Sequence, residues 1–357
     1  MKFYTCLFLP LCLLLTTISP GSEELPTDFS NSPYWQKARR LMQQEAKGKP
    51  LSAEDRAFLD QSKQLRLELK KKMAGSRTKE RPTRGDGTEG DNGGRIRTGI
   101  APATLPEGTS DPVHITVSAP DGETRNAYYR KPPGDGPFPA IVFIHGGLGE
   151  MKKPIMQNQL TDGPVITRFL EKGYVTVMST FRTYQDDIQS RAPIEDSLAA
   201  VKTTAKLPFV DPKRVAVYGG SGGGNIALEL AGIAPVQAVI AGEPATVIYT
   251  GMLTTGDRGP RLEIMSDPEK YFTPELKDRT IEKLKMIEVP VLVLHSDQHD
   301  LIHLNREIFI PMMKQAGVDI QFNLYPGYPH GFYFGTGRAD LKVVDAVVRD
   351  TIKFLQK

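Results

Sequence analysis

The sequence has only two cysteines among its 357 residues, and both lie near its start, at Cys6 and Cys12. The rest of the chain therefore offers no thiol for a disulfide bond, a nucleophile or a metal site. The formal net charge is only +3, and the positive excess lies in the first 100 residues. Because residues 101–357 are faintly acidic, we expect no nucleic acid partner. The sequence also lacks an internal repeat and the G-K-[ST] ending of a phosphate-binding P-loop.

Long apolar runs are absent as well, with one exception at the start of the chain. Residues 3–18 form an apolar run that follows Lys2, and the small residues Ser19 and Gly21 come after it. This run contains Pro10 and is shorter than the roughly 20 residues that a membrane-spanning helix needs. We therefore predict a secretory signal peptide over residues 1–21, and a secreted or periplasmic mature chain without stable membrane insertion.

The rest of the chain divides into three parts by composition. Residues 22–73 carry helical patterns in two pieces, separated by the helix breaker Gly48-Lys49-Pro50. Residues 74–111 are rich in small and polar residues and have few large apolar ones, which predicts a flexible linker. Residues 112–357 alternate strand-like and helix-like runs. Because the strands are rich in Val and Ile and are separated by helices, we predict an α/β fold with a mostly parallel sheet of about eight strands, covered by helices on both faces.

The strongest chemical motif is the glycine-rich turn around Ser221. The apolar strand RVAVYG runs directly into Gly219-Gly220-Ser221-Gly222-Gly223, and the helical run NIALELAG follows. This order of strand, G-x-S-x-G turn and helix is typical of a nucleophile elbow, in which the serine hydroxyl is exposed on a sharp turn. Serine is a weak nucleophile without a base, so the pattern predicts that Ser221 has a histidine partner.

Two further segments supply the groups that a serine nucleophile needs. The strand AIVFIHGG ends in His145-Gly146-Gly147, a loop whose backbone N–H groups can stabilise an oxyanion together with that of Gly222. Near the C-terminus, the segment LYPGYPHGF places His330 in a loop after a strand, where an imidazole can act as general base. We count His145 as a structural brace of the glycine loop.

These motifs together resemble the α/β-hydrolase superfamily. The elbow, the HGG loop and the Y-P-x-x-x-H-G-F ending are similar to the catalytic domain of the prolyl oligopeptidase family, and to dienelactone hydrolases and acetyl esterases, over residues 112–357. The resemblance implies an α/β-hydrolase catalytic domain with a Ser-His-acid triad and no cofactor. It also implies a small ester or a short peptide as substrate.

The acid of the triad is the point where this sequence departs from the family pattern. The related enzymes usually show H-G-x-x-D after a strand, and the corresponding stretch here is His295-Ser296-Asp297-Gln298-His299-Asp300. A gapless match places His299 where the aspartate is expected. We therefore rank Asp300 first, Asp297 second and Glu243, which follows the preceding strand VQAVIAG, third.

Two other readings of these residues lead away from a hydrolase. Gly222, Gly224 and Ala227 fit G-x-G-x-x-A, and Glu243 follows at the distance of a ribose-binding acid. However, a dinucleotide fingerprint should begin directly after its strand. In the register that does so, Ser221 takes the place of the second glycine, which must leave room for a pyrophosphate, and this disfavours a dinucleotide site.

The second reading is a metal site. His295, His299 and His303 recur every four residues with aspartates between them. Since His295 ends a strand, the three do not share one helical face, and we predict no metal.

The function predicted from the sequence is that of an exported serine hydrolase that cleaves carboxylic esters. A prolyl-oligopeptidase-like peptidase is the alternative, and an inactive hydrolase fold used for binding is a further one. Prolyl oligopeptidases generally carry a large β-propeller before the catalytic domain. Here about 90 residues of predicted helix and linker precede it, which favours small substrates that enter freely.

Overall fold

A computed structural model describes residues 37–38, 41, 44, 50–65, 99–184, 187–254 and 258–357. The predicted signal peptide and both cysteines lie outside this part. The chain divides into two compact units, Met1–Leu65 and Arg66–Lys357. In the first unit a helix covers residues 53–65. The Ser52 hydroxyl begins it as an N-cap, because its Oγ accepts a hydrogen bond from the Asp55 N–H at 3.0 Å.

The second unit is built on one eight-stranded sheet. Its strands are β1 (Val113–Ser118), β2 (Thr124–Arg130), β3 (Phe138–Ile144), β4 (Val175–Ser179), β5 (Val210–Gly220), β6 (Ala238–Gly242), β7 (Val291–His295) and β8 (Ile320–Leu324). Their order across the sheet is β1-β2-β4-β3-β5-β6-β7-β8. The pairs β1–β2 and β2–β4 are antiparallel and the other pairs are parallel. The prediction of a mostly parallel sheet of about eight strands is confirmed.

Helices cover both faces of the sheet. They are α1 (Lys153–Asp162), α2 (Pro164–Glu171), α3 (Ala192–Ala205), α4 (Gly222–Ala231), α5 (Thr246–Tyr249), α6 (Arg258–Ser266), α7 (Pro268–Tyr271), α8 (Pro274–Leu284), α9 (Ile310–Gln315) and α10 (Leu341–Leu355). A π-helical segment, Leu304–Phe309, leads into α9, and a 3₁₀ turn covers Phe332–Phe334. None of the helices in the described ranges has the length and apolar character needed to cross a membrane.

The sheet lies between two hydrophobic layers, and β3 illustrates how one strand supplies both. Val142 and Ile144 belong to the layer that includes residues of α3, α4, α8 and α9, whereas Ile141 and Phe143 belong to the layer that includes residues of α1, α2 and α10. Alternate side chains of a strand point to opposite faces, so a strand buried on both sides is apolar throughout. Each such fully buried side chain contributes about 1.5–3 kcal/mol.

This topology brings several chain segments to one edge of the sheet. The strands β3, β5, β6, β7 and β8 run parallel, so the loops that follow them meet at the carboxyl edge of the sheet, where ligands bind in open α/β folds. All the predicted site residues follow the ends of these five strands.

Candidate active site

Ser221 lies on a sharp turn between β5 and α4. Its backbone has φ 55° and ψ −116°, a left-handed conformation that is strained for any residue except glycine. The turn is held in place because the Ser221 N–H donates to the Gly242 carbonyl at 2.8 Å and the Ala245 N–H donates to the Ser221 carbonyl at 3.0 Å. A Cβ atom on Gly219 would lie 2.0 Å from the Gly223 oxygen. The flanking glycines are therefore required by the close approach of the two arms of the turn.

The predicted HGG loop lies against this elbow. A Cβ atom on Gly146 would lie 3.5 Å from Ser221 Cβ, and one on Gly222 would lie 2.2 Å from the Gly147 oxygen. Gly222 is the first residue of α4, and its N–H is among the helix groups without an intrahelical acceptor. The structure thus brings all three residues predicted for the oxyanion hole next to Ser221.

His145 braces the HGG loop, as expected. Its Nδ1 lies 2.8 Å from the Gly146 carbonyl and its Nε2 lies 3.2 Å from the Thr180 hydroxyl. Burial lowers the pKa of the ring, which keeps the imidazole neutral. A neutral imidazole donates from one nitrogen and accepts at the other, as these two contacts require.

Glu243 provides the carboxylate that contacts His330. His330 Nδ1 donates to Glu243 Oε2 at 2.6 Å. The other oxygen, Oε1, accepts hydrogen bonds from the Ser296 N–H at 3.2 Å and the Ser296 hydroxyl at 2.7 Å. Glu243 is fully buried, so each of these bonds offsets part of the cost of removing the carboxylate from water.

Glu243 shares an unusual backbone feature with Ser221. In the described part of the chain these are the two non-glycine residues with positive φ, and the φ of Glu243 is 42°. Each follows the last residue of a strand, β5 for Ser221 and β6 for Glu243, and the two strands are neighbours in the sheet. Strained backbone of this kind is concentrated at functional sites. Here it occurs at the carboxyl ends of β5 and β6, where Ser221 and the acid partner of His330 lie.

The structure reverses the predicted ranking of the acids. Asp300, the residue after His299, is ranked first. The nitrogen of His330 that a triad acid would contact, Nδ1, is instead bonded to Glu243. Asp297, ranked second, accepts the Gly327 N–H at 2.8 Å and so ties the loop after β7 to the loop before His330. The acid ranked third is the one that reaches the imidazole.

His299 occupies a different place from the one its spacing suggested. Its ring stacks on that of His330, with 4.2 Å between the centroids and 19° between the planes. Burial first, and then the charge of His330, lower the pKa of His299 to about 3. His299 is therefore a neutral ring packed against the imidazole that Glu243 orients.

The three histidines of the H-x₃-H-x₃-H pattern do not converge. His295 is buried, with Nδ1 2.7 Å from the Ser296 carbonyl and Nε2 accepting from Asn305 at 2.9 Å. His303 lies 2.6 Å from the Glu269 carboxylate. His295 and His303 thus have separate partners, and His299 stacks on His330. The regular spacing of the three histidines does not form one site.

A different trio does come together, formed by Glu243, His299 and His330. One nitrogen or oxygen from each lies within 4.8 Å of the others, a set that zinc sites also use. The nearly parallel stack of the two rings disfavours a metal, because lone pairs in parallel ring planes do not converge on one ion. Glu243 Oε2 is moreover bonded to His330. Glu243 is also fully buried, which disfavours its use as the acid that binds a ribose hydroxyl.

The ionisation of Glu243 predicts a pH-dependent contribution to stability. Burial raises its pKa, but the hydrogen bond from His330 and the neighbouring imidazoles outweigh burial and lower the pKa from 4.5 to about 2. A carboxylate with a lowered pKa stabilises the fold above its unfolded value and loses that contribution as the pH falls through its folded value. We expect a contribution of about 3 kcal/mol at pH 7, and less than half of that at about pH 3.

The measurement compares urea unfolding of the wild-type protein and Glu243→Gln at both pH values. The difference in unfolding free energy between the two proteins should shrink by about 2 kcal/mol on going from pH 7 to pH 3. A difference that stays constant over this range would mean that folding does not lower the pKa of the Glu243 carboxyl.

Some residues of the site carry no signal in the sequence. Ser296 holds Glu243 through a contact between loops that are far apart in the chain, and no spacing rule links the two. Tyr333 contacts His330 from three residues away in the same loop, but no motif of the sequence marks this contact. Glu243 had a signal: a carboxylate directly after a short apolar strand and before a proline, in the position that Ser221 takes after the neighbouring strand.

Similarity to known proteins agrees with this geometry. Residues 180–357 match the model of the prolyl oligopeptidase family. The chain is 29% identical over 177 residues to esterase EstD of Thermotoga maritima, and the matched region covers 44% of this chain and 38% of that protein. It is also 29% identical over 147 residues to dipeptidyl peptidase 4 of Felis catus, covering 40% of this chain and 19% of that protein. The matched region thus spans well under half the length of either curated relative.

Among solved structures, a bacterial brefeldin A esterase, described as a homologue of human hormone-sensitive lipase, superposes with a TM-score of 0.52. The two are 22% identical, and the match covers 72% of this chain and 79% of that one. At this identity the likeness concerns the fold. The elbow, the buried Glu243–His330 pair and these similarities agree on an α/β-hydrolase fold that is similar over residues 180–357 to the prolyl oligopeptidase family.

Proposed function

We propose that the protein is an exported serine esterase that cleaves small carboxylic esters, with Ser221, His330 and Glu243 as its triad. The observation that carries this proposal is the 2.6 Å bond from His330 Nδ1 to the buried Glu243 carboxylate. This bond holds the ring proton on Nδ1 and keeps Nε2 as the basic nitrogen. Export rests on the apolar segment within residues 1–21.

The reaction follows from these positions. His330 Nε2 takes the proton of the Ser221 hydroxyl while Oγ attacks the ester carbonyl carbon. The negative charge that develops on the carbonyl oxygen is stabilised by backbone N–H groups of Gly222 and of Gly146 or Gly147. Collapse of the tetrahedral intermediate breaks the bond to the alcohol, which takes the proton from His330. Water then attacks the acyl-enzyme with His330 again as base, which releases the acid and restores Ser221.

Esters are favoured as substrates by the names of the similar proteins. Esterase EstD and brefeldin A esterase are both named for ester cleavage. The alternative is a serine peptidase, which the prolyl oligopeptidase family match and the similarity to dipeptidyl peptidase 4 support. Both alternatives use the same triad, so they differ in the binding of the acyl and leaving groups.

A fluorophosphonate probe tests whether the site is a working serine hydrolase. The probe forms a covalent bond with an activated serine, so we expect stoichiometric labelling of the wild-type protein and none of Ser221→Ala. The labelled peptide should map to the elbow. If the wild-type protein does not react, or Ser221→Ala reacts equally, the chain is an inactive hydrolase fold.

The substrate class is tested by a panel of acyl esters of increasing chain length beside proline- and alanine-containing peptide amides. We expect kcat/KM to be highest for short acyl esters, with Ser221→Ala inactive on every substrate. A peptide amide turned over faster than all the esters would assign the chain to the peptidases.

A further inference from the structure

The hydroxyl of Tyr333 lies beside the nitrogen of His330 that the proposed reaction uses. Tyr333 Oη is 3.3 Å from His330 Nε2. The opposite nitrogen, Nδ1, is bonded to Glu243. In a neutral imidazole whose Nδ1 carries the proton, Nε2 has a single lone pair. In the proposed reaction, the Tyr333 hydroxyl and the Ser221 hydroxyl therefore compete for this one acceptor.

Tyr333 is held rigidly in this position. Its side chain is 2% exposed, and its ring lies against the ends of β5 and β6, where a Cβ atom would come within 2.2 Å of the ring at Gly220 and within 2.4 Å at Gly242. The Tyr218 hydroxyl donates to the Tyr333 carbonyl at 2.6 Å. Two strand ends and one buried tyrosine thus fix the hydroxyl, whereas His330, with 39% of its side chain exposed, is the partner that has room to move.

We propose that Tyr333 is a positioning residue that occupies His330 Nε2 in the substrate-free enzyme, so that Ser221 gains its base only when the imidazole shifts from Tyr333 to Ser221. This inference rests on the proposed function. Burial raises the pKa of the Tyr333 hydroxyl well above its ordinary value, so the group remains a donor throughout the range in which enzymes are assayed.

The contact between Tyr333 and His330 can be removed without removing any other group around the imidazole. In the described part of the chain, His330 is the hydrogen-bond partner of the Tyr333 hydroxyl. The other titratable groups facing His330 are Glu243, His299 and His295, and all three are retained when the hydroxyl is removed.

The test compares Tyr333→Phe with the wild-type protein by the second-order rate of fluorophosphonate labelling between pH 5 and pH 9. Removal of the competing hydrogen bond should raise the plateau rate by about 3- to 10-fold. Tyr325→Phe is the matched control, since its hydroxyl bonds to Asp350 at 3.0 Å, and it should leave the rate and profile unchanged.

The outcomes separate this inference from the proposed function. A wild-type protein that does not label contradicts the proposed function. If the wild-type protein labels but Tyr333→Phe labels no faster than the wild-type protein, the role of Tyr333 is overturned and the proposed function is unaffected.

If Tyr333→Phe does not fold, ¹⁵N NMR of the imidazoles replaces the rate measurement. The Nε2 resonance of His330 should be the same in the wild-type protein and in Ser221→Ala, because Tyr333 is its partner in both. A change of that resonance on loss of the serine hydroxyl would overturn the inference.

Discussion

Glu243→Gln should lower kcat/KM by about 10⁴, because the substitution keeps the size of the side chain and inverts its hydrogen bonding. The carboxylate accepts the Nδ1 proton of His330. The amide nitrogen of glutamine donates instead, and an Nδ1 that accepts places the ring proton on Nε2. An imidazole in that tautomer has no lone pair for the Ser221 proton. Steady-state kinetics on the best ester of the panel measures the loss.

The two aspartates of the loop after β7 are the matched controls for this substitution. Asp300→Asn and Asp297→Asn should each retain kcat/KM within about fivefold, since the His330 Nδ1 proton is donated to Glu243. Asp297→Asn should show the larger change of the two, because Asp297 accepts the Gly327 N–H in the loop that leads to His330. A loss of several hundredfold in Asp300→Asn with little change in Glu243→Gln would restore the ranking that the sequence suggested.

The acid was ranked wrongly because sequence spacing does not determine how a loop turns after its strand. The loop after β7 supplies His299, Asp297 and Asp300 in a stretch of four residues, and the family pattern favours that loop. The structure instead stacks His299 on the His330 ring. With an imidazole there, the carboxylate reaches Nδ1 from the neighbouring strand β6. A one-residue offset in a loop changes which side chain faces inward, and apolar periodicity contains no information about it.

The fold was easier to predict than the site. The central strands β4, β6 and β7 are short, fully buried runs dominated by apolar residues, which a Val- and Ile-rich pattern indicates directly. The helix Lys153–Asp162 was not predicted, since it buries only Met156 and Leu160 and so has no apolar stripe. Ser221 and His330 were recognisable because the elbow and the final histidine loop are local motifs. Tyr333 was not, since its role depends on contacts with two strand ends.

Gly222→Ala should lower kcat by about 10²–10³ and change KM little. Gly222 is the first residue of α4 and the proposed donor of one oxyanion N–H, and removal of one such donor typically has an effect of this size on kcat. A Cβ atom on Gly222 would lie 2.2 Å from the Gly147 oxygen, so either the elbow or the HGG loop must move. Because the oxyanion exists only in the transition state and the intermediate, the loss falls on kcat.

Gly232→Ala makes the same substitution just beyond the other end of α4 and is the control for it. Gly232 has φ −93°, and a Cβ atom there would meet the Met286 Cβ at 3.4 Å, so the elbow is undisturbed and kcat should stay within about twofold of wild type. A Gly222→Ala enzyme with wild-type kcat would mean that the N–H groups of the HGG loop hold the oxyanion without Gly222. Equal losses in both variants would mean that the integrity of α4, and not the donor at its first residue, limits the reaction.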